Sequence, residues 1–380
     1  MTVNIHCGFR CGRSVLSSCS LTLVGYRQIG ITRRNIGNMP SKVHDVAAGG
    51  FAEGTNDIYD KARPSYPSST LNLIHSILSP PNNNKPLTII EPGSGTGIFS
   101  RLLLYPPTPD YPTFDNLETL IGVEPSKGMR DSWERGLEKV PTGFLPPDYR
   151  IGTVIETETG TGTGVESVTV TGNGNGSETP TPTGSGSGDE SPSVKRKRVQ
   201  VVDGGFDDFS KTGIQQGSVD AVIIAQAFHW CPDYSAALTE IARYLSPCSP
   251  LILIWNHDSP SVQLSVDLKE IYKLHDRGTP QFYRMTWKTL FDTEEYKQLY
   301  LPAEQGINTW TKGITEDQLI ERIFSKSFLT KAYIDGEPRL KLEQQLRKVI
   351  QDSDKEWIDK EQGIFLYKYD THHVILRKKP

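Results

Sequence analysis

Three short stretches hold the side chains with chemistry to offer. In "TIIEPGSGTGIFS" (Thr88 to Ser100), Glu91 precedes glycines at 93, 95 and 97, with Ser94 between the first two. Alternating glycines permit a tight bend whose bare backbone a ligand can approach. A dinucleotide fingerprint, G-x-G-x-x-G, would need glycine at 98, where the chain has Ile98. Glu91 is a poor neighbour for a diphosphate and a good one for a cation, so the bend suits an ammonium or sulfonium group. In "IGVEPS", Glu124 closes an apolar run; a carboxylate there either accepts both hydroxyls of a ribose or stands solvated. In "AFHW", Phe228, His229 and Trp230 follow another apolar run, and aromatic faces stabilise a nearby cation. A histidine of ordinary pKa, about 6.5, can act as a general base. His229 can equally orient an acceptor or pack as a structural side chain.

These residues need strands and helices in regular alternation to hold them. "PLTII" (86–90), "ETLIGVE" (118–124), "RVQVVDG" (198–204), "SVDAVIIAQAF" (218–228) and "PLILIWN" (250–256) read as five strands. "GIFSRLLL", "SKGMRDSWERGL" and "PDYSAALTEIARYL" read as the helices between them, the last with apolar residues at 234, 237, 238, 241 and 245. Near-continuous Val, Ile and Leu in strands separated by helices indicates a parallel α/β sheet covered on both faces. In such a sheet ligands bind beyond the carboxyl ends of the strands, which is where the glycine bend, Glu124 and "AFHW" all fall. Beyond Asn256, "DLKEIYKLHDRG" and "TEDQLIERIFSKSF" read as helices, the second opening on a capping box at Thr315 and Gln318. "GIFLYKYDTHHVILRKK" suits a late strand on the sheet edge. His372 and His373 alternate faces within it and do not read as metal ligands.

Two segments stand apart. Residues 1–44 carry six Arg or Lys, no acid and clustered serines, which fits a mitochondrial transit peptide or a disordered extension ahead of a start at Met39. Residues 152–193 hold ten glycines, six acids and no Lys or Arg, a composition unable to bury enough apolar surface to order itself. It reads as a disordered insertion, tolerated because loop closure grows only logarithmically with length. The domain is therefore 45–151 joined to 194–380. "KRKR" (195–198) is either a nuclear signal or a solvated strand entrance. The net charge of −4 offers no global attraction to nucleic acid or anionic lipid, and no apolar run approaches membrane-spanning length. None of the five cysteines forms a C-x-x-C pair, so a reduced, cytoplasmic protein without a zinc site is expected, or a mitochondrial one if the leader is a transit peptide.

Taken in order, "EPGSGTG", "GVEPS", "VDAVIIAQAFHW" and "LSPCSPLILIWN" resemble the motifs of class I S-adenosylmethionine-dependent methyltransferases, and most closely the small-molecule branch that includes fungal trans-aconitate methyltransferase-like proteins. The resemblance covers about Phe51 to Asn256 without the insertion. It implies a Rossmann-like, seven-stranded, mostly parallel sheet with an antiparallel last strand. It places the methionine moiety of S-adenosylmethionine over Gly93, Ser94, Gly95 and Gly97, with Glu91 supporting its amino group and Glu124 its ribose. Pro125, Ser126, Gly205 and Phe206 would surround the adenine, with Asp207 or Asp208 at the exocyclic amine, and Gln226 and Ala227 would pass close to the sulfonium. "YDKARPSYP" resembles the segment that closes over the cofactor, bringing Tyr59, Arg63 and Tyr66 inward. Trp230, Trp255 and Asn256 are candidate walls for a small-molecule methyl acceptor, a carboxylate or a hydroxyl. Cys248 and Ser249 depart from the glycine pair common before the fifth strand, so that turn is expected to be strained or reshaped. A cofactor-binding protein without catalysis remains the alternative; an NAD-dependent oxidoreductase is disfavoured by Ile98 and Glu91.

Overall fold

The structure is a computed structural model that describes residue 60 and residues 62–80, 85–145 and 197–380. The leader (1–44), the insertion (152–193), Met39 and Tyr59 lie outside the described residues.

The first half alternates as expected: α1 (Ser68–Leu78), β1 (Leu87–Pro92), α2 (Ile98–Leu104), β2 (Leu117–Val123), α3 (Lys127–Leu137), β3 (Arg198–Val202), β4 (Ala221–Ala225), α4 (Tyr234–Tyr244) and β5 (Pro250–Asp258). β1 pairs in parallel with both β2 and β4, β2 with β3, and β4 with β5. The remainder is α5 (Gln263–Tyr272), α6 (Glu294–Leu299), β6 (Glu304–Ile314), α7 (Glu316–Phe324), α8 (Gly336–Asp352), β7 (Trp357–Asp359) and β8 (Ile364–Arg377). The full order is β3-β2-β1-β4-β5-β8-β6, with β7 also paired to β8.

Two corrections follow. The sheet has eight strands rather than seven, and β6, β7 and β8 all pair antiparallel. The C-terminal strand is also interior, between β5 and β6, rather than at the edge. β6 itself forms that edge. Its residues, "EQGINTWTKGI", are mostly exposed or half-buried, so it carries no apolar alternation to announce it.

Strand residues of alternating parity supply the two faces. Ile89, Leu120, Ile223 and Ile252 pack under α1, α2 and α3, through Leu71, Phe99 and Trp133 among others. Ile90, Val222, Ile224 and Leu253 face α4, with Leu238 and Ile241. A third cluster joins α5, α7 and α8 to Phe365, Tyr367 and Tyr369 of β8. The expected capping box opens α7: Thr315 accepts from the Gln318 N–H while Gln318 accepts from Thr315. The reshaped turn before β5 is visible too. Cys248 sits at φ 65°, a left-handed conformation that costs a non-glycine residue about 1–2 kcal/mol.

Candidate functional site

Strand order reverses between β1 and β4, and the chain crosses that point at the carboxyl ends of the parallel strands. β1 runs into the glycine bend there, with the Gly93 N–H donating to Val123 O at 2.7 Å. Gly93, Gly95 and Gly97 all have positive φ, at 67°, 56° and 77°. Their surroundings differ. A Cβ on Gly93 would lie 2.5 Å from the Ala227 Cβ, and one on Gly97 would lie 2.6 Å from Trp133 Cδ1. A Cβ on Gly95 would meet nothing within 4 Å, so the middle of the bend opens onto free space. Ser94 turns the other way, packing its buried hydroxyl over Gly122.

The two acids occupy different settings. Glu91 is completely buried and accepts a hydrogen bond from the Ser100 hydroxyl, which itself accepts from Trp133 Nε1 at 2.7 Å. Burial pushes its carboxyl up to about 8, against the Ser100 hydrogen bond and the nearby Arg101 charge. Glu124 ends β2 beside the bend. Its carboxylate accepts from the Gly95 N–H at 3.1 Å and the Ser126 N–H at 2.9 Å, tying the two loops together. Burial raises its pKa as well, opposed by those two N–H groups and Arg130. Ser126 caps α3, and Arg130 reaches back to the carbonyls of Glu124 and Pro125. Across the bend, Phe206 touches the Gly93 position and stacks edge-on against Phe228 at 5.7 Å. Gly205 beside it is half-buried, and Asp208 is turned to the Ser210 N–H.

At the end of β4, Gln226 takes φ 62°. Its side-chain amide is committed: Nε2 donates to Asn256 O at 2.7 Å and Oε1 accepts from the Asn256 N–H at 2.9 Å. Gln226 thereby staples β4 to β5. Asn256 donates from Nδ2 to Ser65 O and accepts from the Thr371 hydroxyl, linking β5 to β8 and to the segment before α1.

Next to this staple lies a cavity of about 360 Å³. Gln226, expected beside the sulfonium, lines it together with His229, Arg63 and two of the expected acceptor walls, Trp230 and Asn256. Tyr66, expected to turn inward over the cofactor, and Trp255, expected as a wall, do not. Tyr66 is buried edge-on against Phe99 at 5.2 Å, on the α2 face of the sheet. Trp255 is wholly buried behind the wall, where its indole N–H donates to His229 Nδ1 at 3.2 Å. Its side chain alternates to the α4 face and joins Trp287, at a ring distance of 4.6 Å.

The cavity also holds charges that no motif announced. Arg322 on α7, Lys326 just beyond it and Lys269 on α5 supply cations, and Asp258 and Glu270 supply acids. Asp258 lies 3.4 Å from Arg322 Nη2 and 3.5 Å from Lys326 Nζ. Burial alone would raise the Asp258 pKa, but these two cations outweigh it and hold the carboxyl below its usual range. Burial pushes the Lys326 ammonium down to about 7 despite Asp258. Arg322 is almost fully buried, and its Nε and Nη1 have no hydrogen-bond partner among the described residues. His229 is buried in the wall; burial, with Arg63 adding to it, holds its imidazole down to about 3.

A strap runs along one side of both regions. Asp60 accepts from Thr96 Oγ1 at 2.9 Å and from Arg101 at 2.7 Å, and Arg63 donates to Ser325 O at the end of α7.

Residues 185–253, which include β3, β4, α4 and the start of β5, match the family model described as a methyltransferase domain. An uncharacterized methyltransferase of Mycobacterium tuberculosis is 33% identical over 115 residues, covering 30% of this chain and 42% of that protein. An uncharacterized methyltransferase-like protein of Schizosaccharomyces pombe is 28% identical over 138 residues, 36% of this chain and 52% of that one. The chain thus spans about half the length of the curated relatives it matches. Among solved structures, the YcgJ protein of Bacillus subtilis aligns over 82% of this chain and 99% of its own, at 12% identity and a TM-score of 0.43. Over its β3–β5 core, this sequence is similar to methyltransferase domains.

Proposed function

We propose that this chain transfers the methyl group of S-adenosylmethionine to a small anionic acceptor, a carboxylate. The observation that carries the reading is the juxtaposition of two features at one end of the sheet. One is a side-chain-free bend flanked by Glu91 and Glu124; the other is a cavity whose cations, Arg63, Lys269, Arg322 and Lys326, outnumber its acids, Asp258 and Glu270.

The open space above Gly95 fits a ligand laid against bare backbone, and the Glu124 carboxylate beside it would accept hydrogen bonds from the hydroxyls of a ribose. S-Adenosylmethionine supplies an electrophilic methyl on a positively charged sulfur. The chain's own task is then to align and to desolvate, since effective concentration alone contributes about 7–11 kcal/mol at best. Arg322 suits the acceptor end. Two buried guanidinium nitrogens without partners are costly to leave so, and an anionic acceptor oxygen placed in the cavity would take a charge-assisted hydrogen bond from one of them. The Gln226–Asn256 staple holds the two halves in register.

The test is incubation of the purified chain with methyl-labelled S-adenosylmethionine and a panel of small carboxylic acids, alcohols and amines, read by mass spectrometry. Labelled methyl esters are the expected product. Labelling of only alcohols or amines would overturn the acceptor class, and cofactor binding without any turnover would leave a non-catalytic binding protein.

A further inference from the structure

His229 and Trp255 form a hydrogen bond that decides which way the histidine can act. An indole Nε1–H is a donor only, so the His229 nitrogen facing it at 3.2 Å, Nδ1, must hold a lone pair. In a neutral imidazole the proton then resides on Nε2. Both rings are buried, His229 in the cavity wall and Trp255 behind it, wedged against Trp287 and Phe282 at 4.6 Å and 5.1 Å. The indole therefore has little freedom to swing away. Nε2 makes no hydrogen bond to another described residue, and the ring borders the cavity that Arg63, Arg322 and Lys326 also face. Burial, with the Arg63 charge adding to it, opposes a second proton on the ring.

We propose that Trp255 is a positioning residue that locks His229 in its Nε2-protonated tautomer, so that the ring meets the methyl acceptor as a hydrogen-bond donor and takes no proton from it. This rests on the methyl-transfer reading above and sharpens it. With Nδ1 occupied and Nε2 protonated, His229 has no lone pair to serve as a base. The chemistry it can assist moves no proton at this ring: an acceptor oxygen already ionised forms the bond to the methyl carbon while the carbon–sulfur bond breaks, its electron pair remaining on sulfur. A hydroxyl acceptor would have to lose its proton elsewhere.

The test begins with the intact chain labelled with 15N-histidine, since ring-nitrogen shifts report tautomers without any turnover. The His229 signals, assigned by their disappearance in His229→Gln, should show a protonated Nε2 and an unprotonated Nδ1, unchanged between pH 5 and 8. Trp255→Phe, which keeps an aromatic filler but removes the donor, should give a mixture of tautomers. In kinetics, His229→Gln preserves an N–H donor near Nε2 and should hold kcat within about tenfold, whereas His229→Phe should raise the acceptor KM at least tenfold. A protonated Nδ1 in the unaltered chain, or a tautomer unmoved by Trp255→Phe, would overturn the proposal. So would a loss of kcat of a hundredfold or more in His229→Gln at constant KM, the mark of a lost general base. Failure of the methyl-transfer reading would instead appear as no turnover by the unaltered chain, whatever the nitrogen shifts.

Discussion

Replacing each bend glycine by alanine separates the ligand seat from the packing around it. At Gly95 the added methyl meets no atom within 4 Å, so the only conformational cost is that of holding alanine at φ 56°, about 1–2 kcal/mol. At Gly97 the same backbone cost is joined by overlap with the buried Trp133 ring, whose Cδ1 would lie 2.6 Å away and whose Nε1 is tied to Ser100. Overpacking of that kind adds about 1–3 kcal/mol, for a total near 2–5 kcal/mol. At Gly93 the overlap is with the Ala227 methyl at 2.5 Å, and a second substitution, Ala227→Gly, removes it. The double variant should regain about 1–3 kcal/mol relative to the sum of the singles, the coupling expected of directly touching side chains. Urea unfolding supplies the stabilities and calorimetry the affinity for S-adenosylmethionine. The order of stability should be Gly95→Ala above both others. The order of cofactor affinity should diverge from it, with Gly95→Ala losing at least tenfold, about 1.4 kcal/mol, although it remains folded. A folded Gly95→Ala chain that binds the cofactor as tightly as the original would refute the bend as the seat.

Other expectations follow from the charges. Because burial holds the Glu91 carboxyl at about 8, it is mostly protonated at pH 7, and a cation arriving nearby should lower its pKa. Cofactor binding at pH 7 should therefore release a substantial fraction of one proton, measured as a dependence of binding enthalpy on buffer ionisation; the release should fade by pH 9 and vanish in Glu91→Gln. Lys326, held down to about 7, is charged below that pH and neutral above it, so the acceptor KM should rise as pH increases through 7. A steady-state pH series in which Lys326→Met keeps that rise would count against it. Asp60→Asn should cost about 1 kcal/mol or less in unfolding, because it weakens a half-buried ion pair with Arg101, yet stopped-flow displacement should show faster cofactor release as the strap loosens.

How much was legible depended on whether a feature is local in the chain. β1 with its bend, β2 with Glu124, and β4 with "AFHW" are each written within about a dozen residues, as an apolar run followed by residues that suit its exit. Their mutual arrangement follows from the right-handed crossover rule for parallel strands. The capping box at Thr315 and Gln318 was readable for the same reason. β6 was not, since an edge strand with exposed faces leaves no periodic apolar signature, and missing it moved β8 from the interior to the rim. The cavity's cations were hidden by distance rather than by composition. Arg322 in the last turn of α7 and Lys326 just beyond it stand four apart, a spacing common to many solvated helices. What distinguishes them is Asp258, 64 and 68 positions earlier, which holds both against the cavity. The same holds for His229. In sequence it is a histidine beside a tryptophan, equally suited to accept a proton or to donate one. Its role is narrowed by Trp255, 26 residues later on a neighbouring strand, through one hydrogen bond that the parallel register of β4 and β5 brings within reach. Chemistry that depends on a tautomer is therefore set by strand pairing, and a motif that names the histidine alone leaves the direction of proton flow undetermined.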